Sequence, residues 1–458
     1  MRCVSRPDRR DASAHARAGR SSLGRGRAAN SPKGRAQTAP PSRRALPPRC
    51  PRNEPGRPTG RPVKGNRDAS GKYIYIFLIL GTETGFKRYD GAMGLTLSHT
   101  SALHAMRLVR SEGVDVREMG HVALAKPTPW CGKRWTTRAF AADTWAWQVP
   151  SEKNLLHVLV GSSSRRIRLR TVNCHVSGWK LPAHAVLLLD ERTSVVSPEL
   201  LFLQMSDMLS LQELVMLGYE LCGCFSRDAN NPLDGPVTDK IAPATTVEEI
   251  SRMVAIAGAH RQTVLAEQAL GYIADHAVSV PEAVLATMYS LPPKELGYGI
   301  GPVTLNQRVR IGDGEDAPSR YPDLMLGFAP VGINYDGEMH LDLAGLVAIA
   351  REAERAEGDE AARMSIALAE KVAKVRVKVV DDTTRNRQLA SRGKLVFPMT
   401  KENLYGKDNL DRFTWEILQC AHALFGTDTS EYEKMLNDTS LCKERYEMLS
   451  KMLSSKGP

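Results

Sequence analysis

Apolar positions set up a helical rhythm from Ser98 onward, where Ala102, Leu103, Met106, Leu108 and Val109 recur on one side of a 3.6-residue turn. Ser98 stands where an N-cap is expected, so the pattern predicts a helix over Ser98–Glu112. Residues 115–190 change rhythm. "NLLHVLVG", "RRIRLRTVNCHV" and "HAVLLLD" read as strands separated by turns. "SPELLFLQMSDMLSLQELVMLGYELCG" returns to helical spacing. It predicts two helices, the first amphipathic, capped by Ser197 and with Pro198 in its first turn. After the loop "SRDANNPLDGP", "TTVEEISRMVAIAG" and "RQTVLAEQALGYIADH" predict two more.

A second succession begins near Ser279. Pro281–Ser290 reads as a helix with Glu282 in its first turn, and Tyr321–Tyr335 as two strands. A long, largely helical run from Ala344 follows, stopped by Gly393, and "KLVFPMT" (Lys394–Thr400) closes with a strand. Helix, strand, strand, helix, strand predicts an α/β core with a mixed sheet. Residues 411–453, helical with alternating charges, predict an accessory helix pair. The chain therefore divides into a basic tail (1–92), an α+β module (93–270), an α/β domain with a mixed sheet flanked by helices (271–410) and C-terminal helices (411–458).

Charge changes the picture of the first segment. The formal net charge of +11 suggests a nucleic-acid binder, yet residues 1–67 carry 18 Lys and Arg against 3 Asp and Glu, leaving 44 against 48 in the rest. The basicity belongs to the tail, and the body is mildly acidic. No Phe, Trp or Tyr precedes Tyr73. Such a composition buries too little apolar surface to offset its ordering entropy and predicts disorder. A nucleic-acid-binding arm, a transit-like segment and upstream sequence ahead of a true start near Met93 are the three readings of it. "YIYIFLIL" (Tyr73–Leu80) is far shorter than the roughly 20 residues that span a bilayer, and no membrane association is expected. The eight cysteines are scattered. Cys222 and Cys224 have no second pair or nearby histidine to complete a zinc set, which reads as buried small side chains in a cytoplasmic protein.

Candidate chemistry lies in the second succession. Asp323 starts one strand, Asp336 ends the next, Glu282 sits on the preceding helix, and Glu338 and His340 lie two and four residues beyond Asp336. Carboxylates at the ends of adjacent strands, with a third on a crossing helix, can hold a hard cation such as Mg²⁺ or Mn²⁺. The plain alternative is local: Pro-Asp is common at strand starts, and Asp-Gly favours tight turns.

Taken in order, "SVPEAVL", "YPDLMLGF", "NYDGEMH", "DDTTRNRQLASRG" and "KLVFPMT" resemble the PD-(D/E)XK nuclease superfamily, in its branch similar to the very-short-patch mismatch repair endonucleases. The resemblance covers residues 279–400, with a helical insertion at 342–380. It implies a restriction-endonuclease-like fold and metal-dependent hydrolysis of DNA phosphodiesters. Asp323, Asp336 and Glu282 would be metal residues, and His340 the catalytic histidine. Where many relatives carry an acid two residues before the Asp-Gly aspartate, this chain has Asn334, which could offer a carbonyl oxygen but no charge; the expected lysine is missing too. Residues 97–225, through "TSVVSPELLFLQMSD", resemble the body of type IV, abortive-infection antitoxins, which implies a toxin protein as partner. Two functions are thus expected: a metal-dependent endonuclease in repair or defence, or a non-catalytic antitoxin-like regulator on a degenerate nuclease scaffold.

Overall fold

The computed structural model describes residues 94–126, 147–190, 192–314, 316–336 and 343–453. The expected disorder of residues 1–92 and the Tyr73–Leu80 segment lie outside these, as do Glu338 and His340. Among the described residues the chain is a mixture of twelve α-helices and mixed β-sheets, the α/β class expected.

The first sheet contains β1 (Leu95–Leu97), β2 (Leu156–Val160), β3 (Val172–Val176), β4 (Val186–Leu188) and β5 (Thr193–Val196), in the order β3-β2-β1-β5-β4. Pairing is mixed: β1 runs parallel to β5 and antiparallel to β2, and β2 is parallel to β3. All five residues of β2 are buried, which explains its nearly unbroken apolar run. Helix α1 (His99–Ser111) follows β1 directly and packs its Ala102–Ala105–Met106–Val109 stripe inward. Ser98 holds the N-cap position as expected, but its side chain makes no capping bond.

Helices α2 (Pro198–Met205) and α3 (Leu211–Cys222) follow, capped by Ser197 and Ser210 through bonds to the Leu200 and Glu213 amides. Helix α2 was expected to be amphipathic. Seven of its eight residues are buried instead, because other helices pack around it. Cys222 and Cys224 are both buried, as the sequence reading expects. The short pair β6 (Phe225–Ser226) and β7 (Thr238–Asp239) precedes α4 (Val247–Ala257) and α5 (Arg261–Leu270). Helix α5 ends at Leu270, six residues before the expected His276, with Gly271 as its C-cap.

Helix α6 (Val280–Ser290) leads to the second sheet. Its strands are β8 (Val303–Leu305), β11 (Leu324–Leu326), β12 (Val331–Asp336) and β13 (Leu395–Thr400), with the small ribbon β9 (Val309–Arg310) and β10 (Ser319–Arg320) between β8 and β11. The order is β13-β12-β11-β8, antiparallel except for the parallel β12–β13 pair. Parallel neighbours need a long crossover, and here it contains α7 (Leu343–Arg355) and α8 (Gly358–Ala390). The two helices separate at Gly358, whose φ of +59° favours glycine. Gly393 at φ +69° ends the run as expected.

Helices α9 (Lys401–Tyr405), α10 (Asn409–Phe425), α11 (Ser430–Leu436) and α12 (Thr439–Met452) complete the chain. The expected C-terminal pair is therefore three helices from residue 409 on. They are not peripheral: Leu410, Phe413, Ile417, Leu418, Met448 and Leu449 join one buried cluster that reaches back to Leu95. No helix among the described residues is long and apolar enough to cross a membrane.

Candidate active site

Glu282 is delivered by the first turn of α6. Ser279 caps that helix, accepting the Glu282 amide at 3.4 Å and donating its hydroxyl to Glu282 Oε1 at 2.8 Å. The sequence Ser-Val-Pro-Glu thus builds a reciprocal cap that fixes the carboxylate. Its other oxygen accepts the Val278 amide at 3.2 Å and Asn306 Nδ2 at 3.0 Å. Glu282 is only 5% exposed. Burial, followed by the negative charge of Asp323, pushes its carboxyl up to about 8 in spite of these donors.

Asp323 stands just ahead of β11, where Pro322 enforces an extended entry. Its Oδ2 accepts the Tyr335 amide of the neighbouring β12 at 2.7 Å. Its backbone carbonyl accepts the Asn306 amide at 3.1 Å, which ties Asn306 to both acids. The Asp323 carboxyl is raised to about 6. Burial is the main cause and Asp336 adds to it, while the Tyr335 amide, Arg385 and Lys378 oppose it. Asp336 ends β12 opposite Thr400 of β13. Lys378 of α8 approaches it at 4.0 Å.

Asn334 is fully buried between these groups. Its Oδ1 accepts the Asp323 amide at 3.2 Å, and its Nδ2 donates to Asn386 Oδ1 at 3.2 Å. The carbonyl oxygen that the sequence left open for a cation is thus already engaged in positioning Asp323.

Helix α8 crosses this end of the sheet with a basic stripe. Lys378 donates to Asp382 at 2.8 Å, and Arg385 lies 3.2 Å from the same carboxylate. The Arg385 Nε is buried without a hydrogen-bond partner. Arg320 anchors the helix from the other side, to Gln388 at 2.7 Å and Asp381 at 3.1 Å.

The structure therefore brings Asp323 into electrostatic reach of both Glu282 and Asp336. Their oxygens do not form a tight three-ligand cage: among the described residues the one set of three or more such ligand atoms lying mutually within 4.8 Å is a histidine group elsewhere. Sequence reasoning missed Asn306, Lys378 and Arg385. Asn306 sits in a Gly-, Pro- and Asn-containing stretch with no periodic signal. The helical pair did leave a trace, since Lys378, Asp382 and Arg385 follow the four- and three-residue spacing of one helix face.

No family model matches the chain, and no curated protein or solved structure does either.

Proposed function

We propose that this chain is a Mg²⁺- or Mn²⁺-dependent DNA endonuclease, built on a restriction-endonuclease-like core and hydrolysing phosphodiester bonds. The reading rests on one observation: Asp323 is held, half-buried, between two other carboxylates, Glu282 and Asp336, so that its own charge and that of Glu282 are disfavoured. A fold gains nothing from pressing acids together unless a cation or a proton offsets them. The donor set is all oxygen, which suits a hard divalent ion, and Mg²⁺ is commonly held by only one or two carboxylates with waters and substrate phosphate in the remaining positions. Asp323 and Asp336 would hold the ion directly and Glu282 through water. Bound there, it would supply polarisation of the phosphate and a lowered pKa for an attacking water.

The protein's own groups have separate tasks. Asn334 and the Tyr335 amide fix the orientation of Asp323. Lys374, exposed on the same stripe of α8 as Lys378 and Arg385, would meet a DNA phosphate in this reading. His340, four residues beyond Asp336 and outside the described residues, is the proposed acceptor of the water's proton, a role imidazole side chains can fill near neutral pH.

One observation favours the second reading, a non-catalytic, antitoxin-like regulator. Lys378 lies 4.0 Å from Asp336 and, with Arg385, already offsets the acidic charge from the helix side. A lysine there can stand in for the cation. Supercoiled-plasmid nicking in Mg²⁺ or Mn²⁺ separates the two. The endonuclease reading expects nicking that is lost in Asp323→Asn and strongly reduced in His340→Ala. A folded wild type that nicks neither plasmid nor single-stranded DNA in either ion favours the regulator.

A further inference from the structure

The first sheet carries a second cluster with different chemistry. His99 begins α1, His157 lies on β2 and His175 on β3. The parallel register sets Leu159 opposite His175, so His157 and His175 point to the same face of neighbouring strands. His157 Nδ1 and His175 Nε2 are 2.9 Å apart. His99 stacks on His175 with ring centroids 3.5 Å apart and an interplanar angle of 21°. One potential ligand nitrogen from each ring lies within 4.8 Å of the others.

Three features ask for an explanation beyond packing. His99 and His157 are buried, at 4% and 8% exposure, and His99 Nδ1 has no hydrogen-bond partner. The hydroxyl of the preceding Ser98 is buried and unpartnered as well. His99 also adopts φ +48°, a left-handed conformation that strains a non-glycine residue. The strain places an imidazole against two others where an apolar side chain would pack without leaving an orphaned nitrogen.

We propose that His99, His157 and His175 form a binding site for one borderline divalent transition metal of the zinc class. Three neutral imidazoles and no carboxylate make a nitrogen-only donor set, which selects Zn²⁺, Co²⁺, Ni²⁺ or Cu²⁺ over Mg²⁺ and Ca²⁺. A neutral imidazole offers a ring lone pair to a metal without losing a proton. Tetrahedral zinc with Zn–N near 2.0–2.1 Å separates its ligand nitrogens by about 3.3 Å. The closest pair is already within a few tenths of an ångström of that. His99 must turn out of its stack so that its lone pair converges with the other two. The N–H of the His157–His175 hydrogen bond moves to the opposite nitrogen of its own ring, with no net proton released. Asp207, the carboxylate acting on His175, is exposed and accepts a hydrogen bond from Gln262, and is not part of the nitrogen set. Such a metal would tie the start of α1 to β2 and β3.

The test is Co²⁺ titration of the full chain, stripped with EDTA, in excess Mg²⁺ so that the acidic site is occupied. One equivalent should produce the intense visible d–d bands of a tetrahedral nitrogen site, and Zn²⁺ should bleach them. His175→Gln and His99→Gln, each first checked for a cooperative melt, should weaken binding by more than about tenfold, the lower bound typical even of an outer-shell change. Asp323→Asn should leave the bands intact. Absence of the bands in wild type, equal affinity in a folded histidine variant, or loss of the bands in Asp323→Asn would each overturn the proposal.

Discussion

Replacing Asp323 by asparagine tests the acidic site without any assay of catalysis. The variant keeps an oxygen that can accept the Tyr335 amide, so the hydrogen bond at 2.7 Å need not be lost. What changes is charge. In the folded protein Asp323 titrates near 6 rather than near 3.8. At about 1.4 kcal/mol for each pH unit between those values, the ionised side chain costs the fold about 3 kcal/mol. Asp323 is only half-buried, and screening by solvent reduces this to about 2 kcal/mol. The sign follows from the raised folded value. The group's favourable contribution is fully present below about pH 3.8, and it is lost as pH rises through 6. Glu282, raised by burial and by Asp323 itself, extends the decline toward pH 8. In EDTA, wild-type melting temperature should therefore fall from pH 5 to pH 9. Asp323→Asn should melt about 4 °C higher at pH 8, at roughly 2 °C per kcal/mol for a large folding unit, and the two curves should meet near pH 4. Millimolar Mg²⁺ should raise the wild type by mass action and leave the variant unmoved. Parallel curves for the two proteins across the pH range, or a variant that melts lower everywhere, would refute the claim that this carboxylate is held under charge repulsion.

Two further perturbations address the framework around the sites. Glu220 accepts both Arg107 Nε and Nη2, at 2.8 and 2.7 Å, together with the Arg227 amide at 3.1 Å. Burial would raise its carboxyl, but Arg107, Arg110 and Arg227 override it and hold the group near 2. Glu220→Gln should cost about 3–5 kcal/mol in urea denaturation, because it leaves buried guanidinium charge uncompensated; in wild type this support should fade only as pH falls from 4.5 toward 2. Asp411 joins the C-terminal helices to the body by accepting Arg445 at 2.6 Å and the Tyr298 hydroxyl at 2.7 Å. Asp411→Ala should destabilise by a similar amount, about 3–5 kcal/mol, and should expose residues 430–453 to limited proteolysis at protease levels that leave wild type intact.

How far the sequence discloses this molecule depends on whether a feature is local. The Ser279–Glu282 cap is local, and so is the alternation of β12; both are readable, and with them the order of Glu282, Asp323 and Asp336. The Asp-Gly turn that motivated the plain reading of Asp336 does not prevent it from ending β12 beside Asp323. Strands β1 and β8, three residues each, carry too few positions to show a period of two, although each completes the pairing of its sheet. Asn334 could be recognised as a departure from the motif this stretch resembles, but its engagement with the Asp323 amide and Asn386 depends on α8 crossing the sheet, which no local pattern encodes. The histidines are the extreme case. His99, His157 and His175 show no ligand spacing, and each alone reads as a core or solvated side chain. They meet because β1 pairs with β2 antiparallel and β2 with β3 in parallel, and because the chain turns into α1 at a strained residue. A close spacing motif can only announce ligands supplied by one or two neighbouring elements. Ligands drawn from three elements whose adjacency is itself a tertiary result are silent in the chain. The acids stand between these cases: Asp323 and Asp336 belong to one antiparallel pair, β11–β12, whereas Glu282 comes from α6, with β8, β9 and β10 between.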